Sequence, residues 1–248
     1  MSVWGKVIGG IAGFALGGPL GAIMGAVAGH AVDRMRESND APGARPGTMD
    51  DTRQVAFTTA IVVLAAKMAK VDGYVTRDEV NAFKQIFDIP PHEIKNVGRL
   101  FDEAKQDATG FEPYAQQIAT MFRGNPNVLE ELLGALFHIA RADGGYHPSE
   151  KAFLERVARI FGFDEASFRR IEATFTGLEQ ADPYQVLGVE RTISDADLKA
   201  RYRKLARENH PDMLTAQGMP KEFVELANEK LAAINAAYDT IRKERGIP

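Results

Sequence analysis

Cysteine is missing from all 248 residues of the chain. Disulfide bonds, thiolate zinc sites and cysteine nucleophiles are therefore excluded. The sequence also shows no nucleophile paired with a base, no phosphate-binding loop and no cluster of metal-ligand residues. These absences predict a protein that is not an enzyme, that needs no cofactor and that has no metal site assembled from a recognisable motif.

An excess of positive charge is also missing, since 30 Lys and Arg face 34 Asp and Glu. Nucleic-acid-binding proteins usually carry a basic footprint, so we predict no nucleic-acid partner despite one basic helix near 198–207. The acidic surplus lies in residues 51–181, because the segments before and after it are balanced. The chain thus divides into regions of different character.

Alternating apolar and polar residues, the pattern of a β-strand, do not occur over any useful length. The apolar residues instead recur at helical spacing, so we predict an all-α fold. Two polar stretches rich in turn-forming residues mark the boundaries: a flexible linker at 36–51 and a shorter joint near 176–183. The predicted parts are an N-terminal segment at 1–35, a helical domain at 52–178 and a second helical domain at 182–248.

Charged side chains are absent from residues 7–32 apart from His30. Within this stretch glycine occupies every fourth position, at Gly9, Gly13, Gly17, Gly21, Gly25 and Gly29. Twenty-six such residues exceed the roughly 20 needed to cross a bilayer, and a stripe of small residues lets two helices approach closely in lipid. We predict a membrane anchor whose glycine stripe contacts a second copy of the chain.

Pro19 leaves two arrangements of this anchor open. Proline removes a backbone hydrogen bond, so the segment is either a kinked single span or a hairpin of two arms packed together. Each arm of a hairpin is short for a full span, which favours the single span. Arg34 and Arg36 follow the stretch, and basic residues mark the cytoplasmic side. We therefore expect the rest of the chain to face the cytoplasm.

The middle region contains a repeat, "AKVDGYVTRDE" at 69–79 and "ARADGGYHPSE" at 140–150. Each copy follows one apolar helix and precedes another. Its glycine can end the first helix in the left-handed conformation, and its acids can cap the second. The carboxylate pairs also permit a metal site as an alternative to capping; they are Asp72 with Glu79 and Asp143 with Glu150.

This doubled motif resembles the TerB family of tellurite-resistance-associated domains. The resemblance covers about residues 52–175 and implies a compact helical bundle. It also implies an alternative function for the chain, a stress-linked and metal-responsive binding module.

The C-terminal region reads as two amphipathic helices. The first begins after Ser194, a residue type that caps helix N-termini. Its apolar face consists of Leu198, Tyr202, Leu205 and Ala206. Its other face is basic and consists of Lys199, Arg203, Lys204 and Arg207. The second helix is predicted from about Pro220 to Arg242, with an apolar stripe of Phe223, Leu226, Ala227, Leu231, Ile234, Ala237, Tyr238 and Ile241.

Between these helices lies His210-Pro211-Asp212, where the proline keeps His210 out of the helical region and ends the first helix. The tripeptide is flanked by "DPYQVLGV", "YRKLA" and "INAAYDTI". Together these residues resemble the J-domain of DnaJ-type co-chaperones. The residue after Asp212 is Met213, where the family often has Lys or Arg.

The resemblance implies that His210, Pro211 and Asp212 trigger ATP hydrolysis in a DnaK-type heat-shock chaperone. It also implies that Lys199, Arg203, Lys204 and Arg207 dock on that chaperone electrostatically. The order of anchor, TerB-like domain and J-domain resembles the DjlA family of membrane-anchored DnaJ-like proteins of Gram-negative bacteria. This resemblance implies a location in the inner membrane and recruitment of the chaperone to clients there, but no motif names the client.

Overall fold

The computed structural model describes residues 17–23, 49–72, 80–81, 83–84, 89–106, 110–142, 147–175 and 182–247. All regular structure in these residues is helical, which confirms the predicted all-α fold. The helices are α1 Met49–Asp72, α2 Ile94–Gln106, α3 Glu112–Met121, α4 Pro126–Ala140, α5 Pro148–Ile160, α6 Glu165–Phe175, α7 Pro183–Leu187, α8 Asp195–Glu208, α9 Pro211–Ala216 and α10 Val224–Arg245, with a 3-10 turn at Lys221–Phe223.

Helix α1 forms the centre of the middle domain. Nearly every side chain from Val55 to Ala69 is buried, because α2, α3, α4 and α5 pack around it. A helix that is apolar on all sides is stable in water only in such an interior position. The helix begins at Met49, so the last three residues of the predicted linker at 36–51 are helical. Residues 36–48 lie outside the described residues.

The second copy of the repeat ends in a capped helix. Helix α5 starts at Pro148 as predicted, and the backbone N–H of His147 donates to the Glu150 carboxylate over 2.7 Å. Glu150 is therefore a capping residue in this structure. Helix α1 ends at Asp72, and the remaining motif residues Glu79 and Asp143 lie outside the described residues.

The C-terminal domain has a core of its own between α7, α8 and α10. Its buried side chains include Leu187, Leu198, Leu205, Ile234 and Ile241. The rings of Tyr202 and Tyr238 stack in parallel with centroids 4.0 Å apart. Helix α8 starts where it was predicted, because the Ser194 hydroxyl accepts a hydrogen bond from the N–H of Asp197 over 3.1 Å.

Three details of this domain differ from the prediction. Residues 211–216 form an additional helix, α9, between the two predicted ones, and His210 caps its start. The second long helix continues to Arg245, and Leu231 is only half-buried. Its apolar stripe also serves two cores: Phe223, Leu226 and Ala227 pack into the middle domain, while the residues from Ile234 onward pack against α8. The two domains therefore share an interior.

The described part of the N-terminal stretch is residues 17–23. Gly17 and Gly18 have φ values of +54° and +57°, a left-handed conformation that glycine adopts without strain. Leu20 is fully buried in the core of the middle domain. The side-chain amide of Gln117 accepts from the N–H of Leu20 and donates to the carbonyl of Gly17, both over 2.9 Å.

Gly21 is buried beside these contacts, whereas Gly17 is exposed. The other glycines of the predicted stripe lie outside the described residues; they are Gly9, Gly13, Gly25 and Gly29. Among the residues that the structure describes, no helix has the length and apolarity of a membrane span.

Candidate functional site

The His-Pro-Asp tripeptide forms the junction of α8 and α9. Asn209 ends α8, and His210 is extended with φ −69° and ψ 131°, as the following proline requires. The Nδ1 atom of His210 accepts a hydrogen bond from the N–H of Asp212 over 3.3 Å and so caps α9. The junction is thus held by local backbone contacts.

The two polar side chains of the junction point outward from a buried base. Pro211 is buried, and the amide of the buried Asn209 donates to the carbonyl of Leu205 over 2.8 Å. The His210 side chain is 52% exposed and that of Asp212 is 93% exposed. Met213 is also exposed, which is uncommon for a large apolar side chain in this structure. This geometry leaves His210 and Asp212 accessible to another protein.

The predicted basic residues line the solvent side of α8. Lys199, Arg203, Lys204 and Arg207 are all exposed. Three of them recur at four-residue intervals, which places Lys199, Arg203 and Arg207 in one stripe that leads toward His210. The Lys204 ammonium lies 3.9 Å from the Glu208 carboxylate, a partial compensation for the crowding of like charges. We call this surface the open face; it comprises Lys199, Arg203, Lys204, Arg207, His210 and Asp212.

Arg201, which lies near the edge of this stripe, has an internal partner. Its Nε donates to the carbonyl of Leu187 over 2.9 Å and so joins α8 to α7. Burial, together with the neighbouring charge of Arg170, lowers the pKa of its guanidinium below the ordinary value. Arg201 therefore supports the hairpin and is not part of the open face.

A second set of charges lies between the C-terminal domain and the middle domain, and all of them are buried except Arg170, whose side chain is 12% exposed. The Lys230 ammonium of α10 lies 2.8 Å from Glu130 and 2.7 Å from Glu131, two neighbouring residues of α4. The guanidinium of Arg170, on α6, donates to both oxygens of Glu130, with a distance of 2.8 Å for Nη1. Two acids and two bases thus form a compact ion cluster between the domains.

The two glutamates of this cluster differ in their ionisation. Burial by itself would raise the pKa of Glu130, but the charges and hydrogen bonds of Lys230 and Arg170 outweigh it and lower the pKa to about 2. Burial raises the pKa of Glu131 above its ordinary value, because Lys230 offsets the loss of hydration only in part. One oxygen of Glu131 has no hydrogen-bond partner among the described residues.

This cluster was not predicted, although the sequence contains two signals for it. Glu130 and Glu131 interrupt an otherwise apolar helix, "PNVLEELLGALFHIA". Lys230 lies on the same stripe of α10 as Phe223 and Ala227, where a polar residue is unexpected. A lysine on an apolar stripe, with a pair of acids inside another apolar helix, indicates a buried ion pair. We call the surface formed by Leu214, Met219, Phe223, Ala227 and Lys230 the covered face.

The middle domain contains an apolar cavity of about 180 Å³ between α1 and α2. Phe83, Val97 and Phe101 are among its lining residues. Within the described ranges, no group of three or more His, Asp or Glu side chains could hold a metal ion. No lining residue of this cavity belongs to the open face.

Three family matches cover most of the chain. Residues 1–44 match the family described as co-chaperone DjlA transmembrane domain. Residues 58–173 match tellurite resistance protein TerB, and residues 182–246 match the DnaJ domain. These matches confirm the resemblances seen in the sequence. The match of residues 1–44 also indicates a membrane-anchored protein.

The chain is similar over its full length to proteins named co-chaperone protein DjlA. The relative from Photobacterium profundum is 33% identical over 98% of this chain and 99% of its own length. The relative from Vibrio cholerae is 34% identical and that from Coxiella burnetii 30% identical, each over 100% of both chains. No solved structure gave a significant match. The chain therefore belongs to the DjlA family of J-domain co-chaperones.

Proposed function

We propose that the open face docks on a DnaK-type chaperone and stimulates its hydrolysis of ATP. In this proposal His210, Pro211 and Asp212 are the trigger, and Lys199, Arg203, Lys204 and Arg207 are the electrostatic dock. The protein itself carries out no chemistry, because the reaction belongs to the partner's nucleotide site.

The observation that carries this proposal is the combination of exposure and internal support at the junction of α8 and α9. His210 and Asp212 face solvent, while Pro211 and Asn209 are buried beneath them. A binding loop that is already ordered loses little conformational entropy on docking. The basic stripe next to it would attract an acidic partner surface and raise the association rate.

The N-terminal segment gives the proposal its location. We propose that residues 1–35 anchor the protein in the bacterial inner membrane, in contact with lipid, and that residues 36–248 face the cytoplasm, where ATP is available to the chaperone. In this proposal residues 17–23 exchange their contacts with Gln117 and with the core of the middle domain for contacts with lipid. The glycine stripe of this segment would pair two copies of the chain. The recruited chaperone would then act on client proteins near the membrane, and the TerB domain is the part of the chain placed to meet them.

The test is single-turnover ATP hydrolysis by a DnaK-type chaperone with the full chain in detergent micelles. The unmodified protein should raise the hydrolysis rate, and His210→Gln should abolish the increase. His92→Gln is a matched control, because His92 is a highly exposed histidine of the middle domain. It should stimulate as well as the unmodified protein.

Two results would contradict the proposal. One is a hydrolysis rate that does not change when the unmodified protein is added. The other is equal stimulation by His210→Gln and His92→Gln, with the two variants equally folded by circular dichroism.

A further inference from the structure

The residues that follow the His-Pro-Asp tripeptide are anchored in the TerB domain. Leu214, Met219 and Phe223 are fully buried, and each belongs to the TerB core rather than to the core of the J-domain hairpin. The helix that His210 caps is therefore fixed at its far side by another domain. The position of the trigger depends on this contact as well as on α8.

Phe223 is the central apolar contact of the covered face. Its ring meets the ring of Phe57 on α1 edge to face, with centroids 4.9 Å apart, and Phe57 in turn contacts Phe122 at 6.3 Å. Aromatic pairs of this geometry stabilise beyond the area they bury. Phe223 thus inserts into an aromatic cluster that the TerB domain supplies.

Gly218 shows how closely the two domains approach at this contact. Its φ is +106°, a conformation that favours glycine, and an added Cβ would lie 3.0 Å from the Cβ of Arg53 on α1. The chain between α9 and the 3-10 turn therefore runs directly against the TerB surface. A side chain at this position would strain the backbone and crowd Arg53.

The ion cluster restricts how the two domains can shift along this apolar contact. Ala227 and Lys230 follow Phe223 at four and seven positions, so all three lie on one side of α10. Apolar surfaces can slide over one another, because the hydrophobic effect has no preferred direction. A lysine held by Glu130 and Glu131 at hydrogen-bond distance admits little displacement. The cluster therefore fixes the register between the domains.

We propose that the TerB domain sets the orientation of the His-Pro-Asp trigger, with Phe223 and Lys230 as positioning residues for the co-chaperone activity. This inference rests on the proposed function of the open face. It assigns to the TerB domain a role inside the co-chaperone itself: it holds the J-domain in one pose relative to the rest of the protein. The chaperone then meets a preoriented surface.

The absence of cysteine allows a direct measurement of this pose in the full chain in detergent micelles. Arg156→Cys on α5 and Ala196→Cys on α8 introduce two exposed labelling sites, one in each domain. Spin labels at these sites report the interdomain distance by double electron–electron resonance. The test variant is Lys230→Met with Glu131→Gln, which removes one positive and one negative charge and keeps the pairing of Glu130 with Arg170.

The labelled parent protein, diluted with an excess of unlabelled protein so that only distances within one chain are measured, should show one narrow distance distribution, and the double variant should show a broadened one. The double variant should also need roughly fivefold to tenfold more protein for half-maximal ATPase stimulation, with the maximal rate unchanged. Lys243→Met is the matched control, since it makes the same substitution at an exposed position of the same helix. It should behave as the parent in both measurements.

The inference would be overturned if the double variant is folded, shows the same narrow distance distribution as the parent and needs the same concentration for half-maximal ATPase stimulation. If this variant loses its helical circular dichroism, the same two measurements on Phe223→Leu, which retains an apolar side chain, decide the matter. A parent that gives a narrow distance but no ATPase stimulation would contradict the proposed function alone. A broad distribution in the parent would contradict the inference alone.

Discussion

The J-domain places two lysines in opposite surroundings. The Lys204 side chain on the open face is 60% exposed and pairs loosely with Glu208 at 3.9 Å, whereas the Lys230 side chain on the covered face is fully buried between two glutamates. A hydrated lysine is available for a partner but adds little to stability. A buried lysine is committed to its pairing, because removing one member leaves an unpaired charge. One small domain thus has the same residue type exposed on its open face and buried on its covered face.

The largest expected effect follows from breaking the covered face at Lys230. Lys230→Met removes the cation that is hydrogen-bonded to Glu131, and we expect it to lower the free energy of unfolding by about 3–5 kcal/mol. Lys204→Met should change it by less than about 1 kcal/mol. Urea denaturation of the full chain in detergent, followed by circular dichroism, measures both. Equal losses for the two variants would contradict the contrast between the faces.

An intermediate effect is the dependence of stability on pH, because the pKa values of the two glutamates of the cluster are shifted in opposite directions. The lowered pKa of Glu130 gives stability that is complete above its unfolded value of 4.5 and is lost as the pH falls toward about 2. The raised pKa of Glu131 gives stability that is present below 4.5 and is lost as the pH rises through its folded value.

Glu131→Gln should therefore leave a chain that loses stability mainly on acidification. Glu130→Gln should leave one that loses stability as the pH rises above 4.5. The urea midpoint, measured across this range in a series of buffers, gives the two slopes. Slopes of the same sign in the two variants would show that the cluster does not distinguish its two carboxylates.

The smallest expected effect is a loss of affinity for the chaperone when a basic residue of the open face is replaced, and this loss depends on salt. Arg203→Met should weaken the proposed docking on the chaperone a few-fold at low ionic strength, because exposed charges act over about 10 Å at 0.1 M salt. At 1 M salt the variant and the parent should converge, since the screening length falls to about 3 Å. The deficit of the Lys230→Met, Glu131→Gln double variant should persist at both salt concentrations. Half-maximal stimulation concentrations measured across a salt series separate the two behaviours.

The sequence predicted those features that depend on local pattern. Helical spacing indicated the all-α fold, Ser194 marked the start of α8, and Pro148 marked the start of α5, because caps and periodicity act over a few residues. The basic stripe of α8 is exposed as its position on an amphipathic helix required. The roles of His210 and its neighbours in binding a chaperone stay predictions.

The features that the sequence did not predict depend on contacts between distant residues. The stripe of α10 appeared as one apolar face, but Phe223 and Ile234 pack into different cores. Nothing in helical periodicity states which domain will cover a given turn. The left-handed conformation of Gly17 and Gly18 was not predicted for a similar reason, since glycine permits this conformation without requiring it.

The ion cluster also constrains the order of events during synthesis. Glu131 and Lys230 are 99 residues apart in sequence, so the ribosome adds the lysine roughly 5–20 s after the glutamate at common rates of translation. Until then the TerB domain has two buried acids without their lysine and an aromatic cluster without Phe223. A chain that stops before α10 keeps these groups uncovered, and such surfaces attract proteases and folding factors. The core of the TerB domain is therefore complete only when α10, which is synthesised after that domain, has been added.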